Sequence, residues 1–182
     1  RPVQQELPVI ASAQDIQEAV KRLATQVSQD YQERTPLALG VLKGCFVFMA
    51  DFVRELSIPV EIEFIRLSSY GASLKSSGKL RLVSAPVLSL KGRDVLLVED
   101  IVDRGYTIQF LRDYCQKQGA ASARLCALFV KGQPDSYPFP IEYYGLQVPD
   151  RFVVGYGLDA KEQYRYLRDL RAVNIEKETT PL

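Results

Sequence analysis

Residues 95–107 read Val95-Leu96-Leu97-Val98-Glu99-Asp100-Ile101-Val102-Asp103-Arg104-Gly105-Tyr106-Thr107, and the rest of the chain can be organised around them. Four consecutive apolar residues suit a strand buried on both faces, as in a parallel sheet. The strand is expected to stop at the carboxylates Glu99 and Asp100, with Asp103 and Gly105 in the loop that follows. Ile108, Leu111, Cys115 and Ala120 then recur near helical spacing, which predicts a helix starting near Tyr106. Strand, acidic loop, glycine and helix start together describe a ligand site at the carboxyl end of a parallel strand. Backbone N–H groups at such a helix start can hold a phosphate. Acids crowded beside a phosphate repel it unless they bind sugar hydroxyls, a metal, or a proton in transit.

Working outward, Ser12-Ala13-Gln14-Asp15 reads as a capping box, followed by Ile16, Val20, Leu23, Val27 and Tyr31 on one face of a helix running to about Gln32. Leu37 to Leu42 is a buried strand ending in Lys43-Gly44, and Phe46, Met49, Ala50 and Val53 mark a second helix. Val60, Ile62 and Phe64 alternate with Glu61 and Glu63 in a strand with one wetter face. From Ser68 to Lys79 the apolar pattern fails, and Ser68-Ser69-Tyr70-Gly71 opens what reads as a long functional loop. Leu80 to Val83 is expected to pair back, Gly119 to stop the central helix, Leu125 to Val130 to form a further buried strand, and Ile141 to Tyr144 a short one. Strands followed by loops or helices imply right-handed βαβ units and an open, mostly parallel twisted sheet flanked by helices. That topology brings Lys43-Gly44, Glu99-Asp100 and Val130-Lys131 to one carboxyl edge.

The 182 residues suit a single domain with a real core, and neither repeats nor a long linker divide them. Net charge is +1, so no global field favours nucleic acid or a membrane. Three cysteines, Cys45, Cys115 and Cys126, sit in apolar surroundings and read as reduced core residues of a cytoplasmic protein. The chain has no histidine, so zinc binding is disfavoured and any proton transfer falls to carboxylate, Lys, Tyr or Cys. No apolar run reaches membrane-spanning length and no signal-peptide pattern is visible.

The Val95–Thr107 string resembles the signature of the type I phosphoribosyltransferases, which bind phosphoribosyl pyrophosphate (PRPP). Leu42-Lys43-Gly44, Ser69-Tyr70-Gly71, Val130-Lys131 and Pro149-Asp150-Arg151-Phe152-Val153-Val154-Gly155-Tyr156-Gly157-Leu158-Asp159 follow in order and are similar to the hypoxanthine-guanine members of that family, in the bacterial style. The resemblance implies a phosphoribosyltransferase core at about residues 35–145, with the N-terminal helix and about residues 146–175 forming a hood over the base site. It implies that Glu99 and Asp100 hold the ribose hydroxyls while Asp103, Arg104, Gly105, Tyr106 and Thr107 wrap the 5′-phosphate. Lys43, Gly44 and Arg165 would face pyrophosphate, and Ser69 and Tyr70 would sit on a closing lid. Asp103 would be the catalytic residue, exchanging a proton with the purine N7. Lys131 would reach the 6-oxo group, Phe152 would stack on the base, and Val153 and Asp159 would complete its pocket. Mg²⁺ would be the cofactor, at Glu99, Asp100 and Asp159. Arg104 and Ala160 depart from the family pattern, which commonly has Thr or Ser at the first position and an aromatic residue at the second.

The implied activity is purine salvage: PRPP and a 6-oxopurine (hypoxanthine, guanine or xanthine) give IMP or GMP and pyrophosphate, in a homodimer or homotetramer. Two alternatives remain at this point, a regulator of the same fold that senses PRPP or nucleotides, and a transferase for another base. Taken singly, Lys131 reads as a solvated strand end, Phe152 and Val153 as core, and Asp159 with Arg165 as a surface pair. The order and completeness of the set favour the site.

Overall fold

The apolar run at Val95 forms the centre of a six-stranded sheet. The computed structural model describes residues 7–69 and 79–174. In chain order the elements are β1 (Val9–Ala11), α1 (Ala13–Asp30), β2 (Leu37–Leu42), α2 (Phe46–Glu55), β3 (Glu61–Ser69), β4 (Leu80–Ser84), β5 (Asp94–Val102), α3 (Tyr106–Lys117), β6 (Ser122–Lys131), a 3-10 turn at Pro134–Ser136, β7 (Tyr143–Val148), β8 (Val153–Val154) and β9 (Leu170–Ala172). The main sheet has the order β4-β3-β2-β5-β6-β7, parallel throughout except for the antiparallel edge strand β4. A second, three-stranded antiparallel sheet, β1-β9-β8, is built from the two ends of the described chain.

Period-two alternation along β5 divides the core between the sheet's faces. Val95 and Leu97 pack with Ile108, Leu111 and Cys115 of α3, whereas Leu96 and Val98 pack with α1 and α2 through Ile16, Val20, Leu23, Phe48 and Phe52. The α1 start is capped as its sequence predicts, the Asp15 backbone N–H donating to Ser12 Oγ at 3.1 Å. The α3 end is closed by Gly119 at φ 78, with Ala120 N–H donating to Cys115 O and Gly119 N–H to Gln116 O, both at 3.0 Å. This is the double bond of a left-handed helix cap, a conformation that favours glycine. Cys45, Cys115 and Cys126 are buried and unpaired.

The structure differs from the sequence reading in four places. β5 does not stop at Val98 but carries Glu99 and Asp100 as strand residues to Val102, because β6 continues to pair with it through Val102↔Val130. Ser68 and Ser69, expected outside a strand, extend β3, held by pairing with Arg81 and Leu80 of β4. The strand expected at Ile141 begins at Tyr143 and runs on to Val148, in register with β6. Finally, α1 packs against α2 and β7 on the main sheet rather than in the hood. Its buried stripe of Ile16, Val20, Leu23 and Val27 needs a broad apolar surface, which a sheet of two- and three-residue strands does not provide. The hood takes β1 instead.

Candidate active site

Strand order reverses between β2 and β5: the β2–α2 unit leads outward to β3, and β5–α3 leads the other way to β6. Open α/β sheets bind ligands at such a switch point, where successive loops diverge and leave a crevice. Here β2 pairs with β5 only as far as Gly40↔Val98, and the last four residues of β5 run on beside β6 into the crevice mouth.

The β2–α2 turn crosses this crevice. It contains a cis peptide between Leu42 and Lys43 and brings Gly44 directly onto Asp100. A Cβ on Gly44 would lie 2.0 Å from Asp100 Oδ2, and one on Gly157 would lie 2.3 Å from the Gly44 carbonyl oxygen. Hood, turn and acidic strand are therefore stacked backbone to side chain, with no room for a methyl group at either glycine.

Glu99 and Asp100 share this packing in different ways. Glu99 is buried, and its Oε2 has no hydrogen-bond partner. Burial raises its pKa well above the ordinary carboxylate range, and the Asp100 charge adds to the effect. Beside the Asp100 carboxyl group, Glu99 therefore favours its neutral form. Asp100 is also raised by burial, partly offset by the Glu99 hydrogen bond and by the Ile101 N–H, which donates to its Oδ1 at 2.8 Å. Burial thus disfavours a charge on Glu99, while the Ile101 N–H holds Asp100 in place.

Three neighbouring cavities open on this edge. The first, about 460 Å³, is lined by Glu99 to Ile108 with Val41, and so includes Asp103, Arg104, Gly105, Tyr106 and Thr107. Gly105, at φ 84, caps α3 beneath Phe139, whose ring a Cβ there would meet at 2.7 Å. The second, about 360 Å³, joins Lys43, Gly44, Asp100, Asp103, Lys131, Phe152, Val153, Asp159 and Arg165. The third, about 430 Å³, lies beyond Asp103, Arg104, Lys131 and Phe152, against Tyr137 and Arg151. Asp103 borders all three, and Asp100 links the first two.

In the central cavity Lys131 Nζ lies 3.1 Å from Asp103 Oδ2, with the lysine side chain 11% exposed and the aspartate 52%. A nearly buried ammonium needs such a partner. Phe152 is 41% exposed, an aromatic side chain at a cavity that Ile101 also lines. On the other wall, Arg165 donates to the Gly157 carbonyl at 2.7 Å and lies 3.2 Å from Asp159 Oδ1. The Ala160–Gln163 hairpin, with Lys161 and Glu162 both at positive φ, turns Glu162 back over the site. Its carboxylate pairs with Lys43 Nζ at 2.7 Å and Arg165 at 3.2 Å.

Most residues singled out in the sequence therefore meet along one edge, but two groups do not. Ser69 ends β3 three residues beyond the level of Leu42↔Arg66 and lines none of these cavities, and Tyr70 lies outside the described residues. Glu99, Asp100 and Asp159, expected together as metal ligands, do not form one cluster: among the described residues no group of three His, Cys, Asp or Glu side chains could hold a metal ion. Glu99 faces inward from β5, whereas Asp159 lies on the hood side of the central cavity. Ile101, Tyr137 and Glu162 were missed. Ile101 follows the acid pair in the same strand and could have been placed by alternation; Tyr137 and Glu162 arrive through turns that no periodicity announces.

A sequence model of the phosphoribosyl transferase domain matches residues 10–161. The hypoxanthine-guanine phosphoribosyltransferase of Bacillus subtilis is 40% identical over 159 residues, 87% of this chain and 88% of its own length. That of Dictyostelium discoideum is 40% identical over 170 residues, 90% of this chain and 94% of its own. The crystal structure of a hypoxanthine phosphoribosyltransferase from Staphylococcus aureus superposes with a TM-score of 0.91 at 30% identity, covering 99% of this chain and 98% of that one. The chain belongs to the phosphoribosyltransferase family, in the branch formed by the hypoxanthine-guanine enzymes.

Proposed function

We propose that the chain transfers the 5-phosphoribosyl group of PRPP to a 6-oxopurine, giving the nucleoside 5′-monophosphate and pyrophosphate. The observation that carries this reading is the central cavity, where a nearly buried Lys131, an Asp103 carboxylate and an exposed Phe152 ring converge. A purine stacked on Phe152 would present its 6-oxo oxygen to the Lys131 ammonium and N7 to Asp103. As N9 forms its bond to C1 of the ribose, the N7 proton passes to Asp103 and pyrophosphate leaves with the electrons of the broken C1–O bond. A 6-amino group would set a donor against the Lys131 ammonium and deny it the acceptor that a 6-oxo group supplies, and a buried polar contact left unmade typically costs ~1–3 kcal/mol.

The remaining residues fit the other parts of PRPP. The Asp103–Thr107 loop and the α3 start offer backbone N–H groups to the 5′-phosphate. Arg104, exposed at that loop, adds a charge-assisted phosphate contact in place of the hydroxyl common in the family. Lys43, Gly44 and Arg165 receive pyrophosphate, which must first displace the Glu162 carboxylate from both cations. The donor set fits Mg²⁺, which takes one or two carboxylates and completes its shell with substrate phosphates. Asp100 and Asp159 border the same cavity and would hold the ion. When bound, the ion supplies charge neutralisation to the departing pyrophosphate.

The curated relatives carry enzyme names and retain nearly the whole length of this chain, which supports a transferase over a regulator. A cytoplasmic setting is in keeping with the buried thiols, and no helix among the described residues is long and apolar enough to cross a membrane. Self-association is supported by exposed apolar side chains on β3, β4 and the turn after them, among them Ile62, Leu82, Val83 and Val87. Incubation with PRPP, Mg²⁺ and hypoxanthine, guanine or xanthine in turn, with products separated by chromatography, tests the reading: nucleoside 5′-monophosphate and pyrophosphate are expected in equal amounts with at least one base, and failure to form a nucleotide from any of them overturns it.

A further inference from the structure

The segment after β6 carries an unexplained contact. The Tyr137 hydroxyl lies 2.7 Å from the Asp103 carbonyl oxygen, 2.7 Å from the Lys131 carbonyl oxygen and 3.3 Å from that of Val102. These are the backbone groups of the two residues whose side chains meet in the base cavity; Asp103 directly follows β5 and Lys131 ends β6, the adjacent parallel strand. Ladder pairing between those strands ends at Val102↔Val130, one residue short of Asp103 and Lys131. Beyond that point nothing in the ladder fixes how far apart the two residues stand. The hydroxyl sits at this open end between the two carbonyls, its one hydrogen shared between them.

The ring is itself held. Tyr137 and Phe139 rings lie 5.6 Å apart, and Phe139 covers Gly105 of the phosphate loop. Pro134, Pro138 and Pro140 restrict the backbone of the intervening segment. Burial raises the hydroxyl's pKa, and the Asp103 and Asp150 charges raise it further, so the group keeps its proton and remains a donor. Tyr137 also lines the cavity on the far side of Asp103 and Lys131.

Resting on the proposed transferase reading, we propose that Tyr137 is a positioning residue for base selection: its hydroxyl sets the separation of Asp103 and Lys131, and hence the match of their side chains to N7 and the 6-oxo group of the purine. It touches neither base nor PRPP. Its effect should therefore fall on the purine alone.

Tyr137→Phe keeps the ring against Phe139 and removes only the donor. With hypoxanthine varied at saturating PRPP, KM for the base is expected to rise about threefold to tenfold, the worth of one neutral hydrogen bond. The preference for hypoxanthine over adenine in kcat/KM should narrow by a similar factor, while KM for PRPP stays within about twofold of the parent value. A merely structural role would shift both substrates' constants together, or the melting temperature alone, and either result overturns the inference, as does an unchanged KM for the base. If the parent protein forms no nucleotide from any 6-oxopurine, the transferase reading itself fails. Turnover by the parent with an indifferent Tyr137→Phe removes only the role of Tyr137.

Discussion

Adding one carbon to Gly44 should disable the site while leaving the fold in place. The Cβ of Gly44→Ala would stand 2.0 Å from Asp100 Oδ2, whereas ordinary contact begins at 3.4 Å, so the oxygen must retreat by about 1.4 Å. Asp100 is poorly able to comply. Its other oxygen accepts the Ile101 N–H at 2.8 Å, and the buried Glu99 carboxyl adjoins it. The backbone of residue 44 cannot move away freely either, because its carbonyl lies against Gly157 of the hood. Since Gly44 is not at positive φ, the penalty is steric and not conformational. Overpacking of this kind costs ~1–3 kcal/mol of stability, which a domain of this size survives. A displacement of about 1 Å at a reacting centre costs on the order of 100-fold in rate. The assay is kcat/KM for PRPP with saturating hypoxanthine, with circular dichroism to verify folding. A folded Gly44→Ala retaining more than about a third of the parent kcat/KM would refute the claim that the turn and Asp100 form one rigid unit.

Three further perturbations test separate parts of the site. Glu99→Gln replaces a buried carboxyl by a neutral amide of the same shape; because the folded pKa of Glu99 is raised, the parent should lose stability as pH climbs above the ordinary carboxylate range, and the variant should lose less. Melting temperatures at pH 5 and pH 8 check this, and parallel pH dependences would contradict it. Glu162→Gln frees Lys43 and Arg165, so pyrophosphate should inhibit the forward reaction about twofold to fivefold more strongly, the most an exposed ion pair contributes. Unchanged or weaker inhibition would show that Glu162 does not compete for those cations. Arg104→Thr should raise KM for PRPP by about threefold to tenfold at low salt and by much less at high salt, since an exposed charge is screened; complete insensitivity at low salt would place Arg104 outside the phosphate site.

The parts of the molecule legible in the sequence were those governed by local pattern. Val95 to Val98 is apolar at every position because both faces of β5 are covered, and α3 announces itself through Gly105 and the spacing of Ile108, Leu111 and Cys115. What escaped was set by neighbours far away in the chain. Two adjacent carboxylates ordinarily end a strand, yet Glu99 and Asp100 remain in β5 because β6 supplies the ladder, and Gly44 packs on Asp100 from across the crevice. The capping box and stripe of α1 were visible, but not the sheet face that receives them. Glu162 follows Asp159 in a polar tail without periodicity, and only the hairpin at Lys161-Glu162 brings it to Lys43. Tyr137 sits among prolines that read as a connector, and its contacts with Asp103 and Lys131 depend on where two parallel strands stop pairing.

The central claim is that Lys131 and Asp103 read a 6-oxopurine while the acidic strand and phosphate loop hold PRPP. The most direct measurement is pyrophosphate release by the purified protein with PRPP and Mg²⁺, supplying hypoxanthine, guanine, xanthine and adenine in turn. Release with one or more 6-oxopurines, none with adenine, and loss of all turnover on chelation is the expected pattern. Turnover with adenine comparable to that with hypoxanthine, or no turnover with any base despite measurable PRPP binding, would contradict the account.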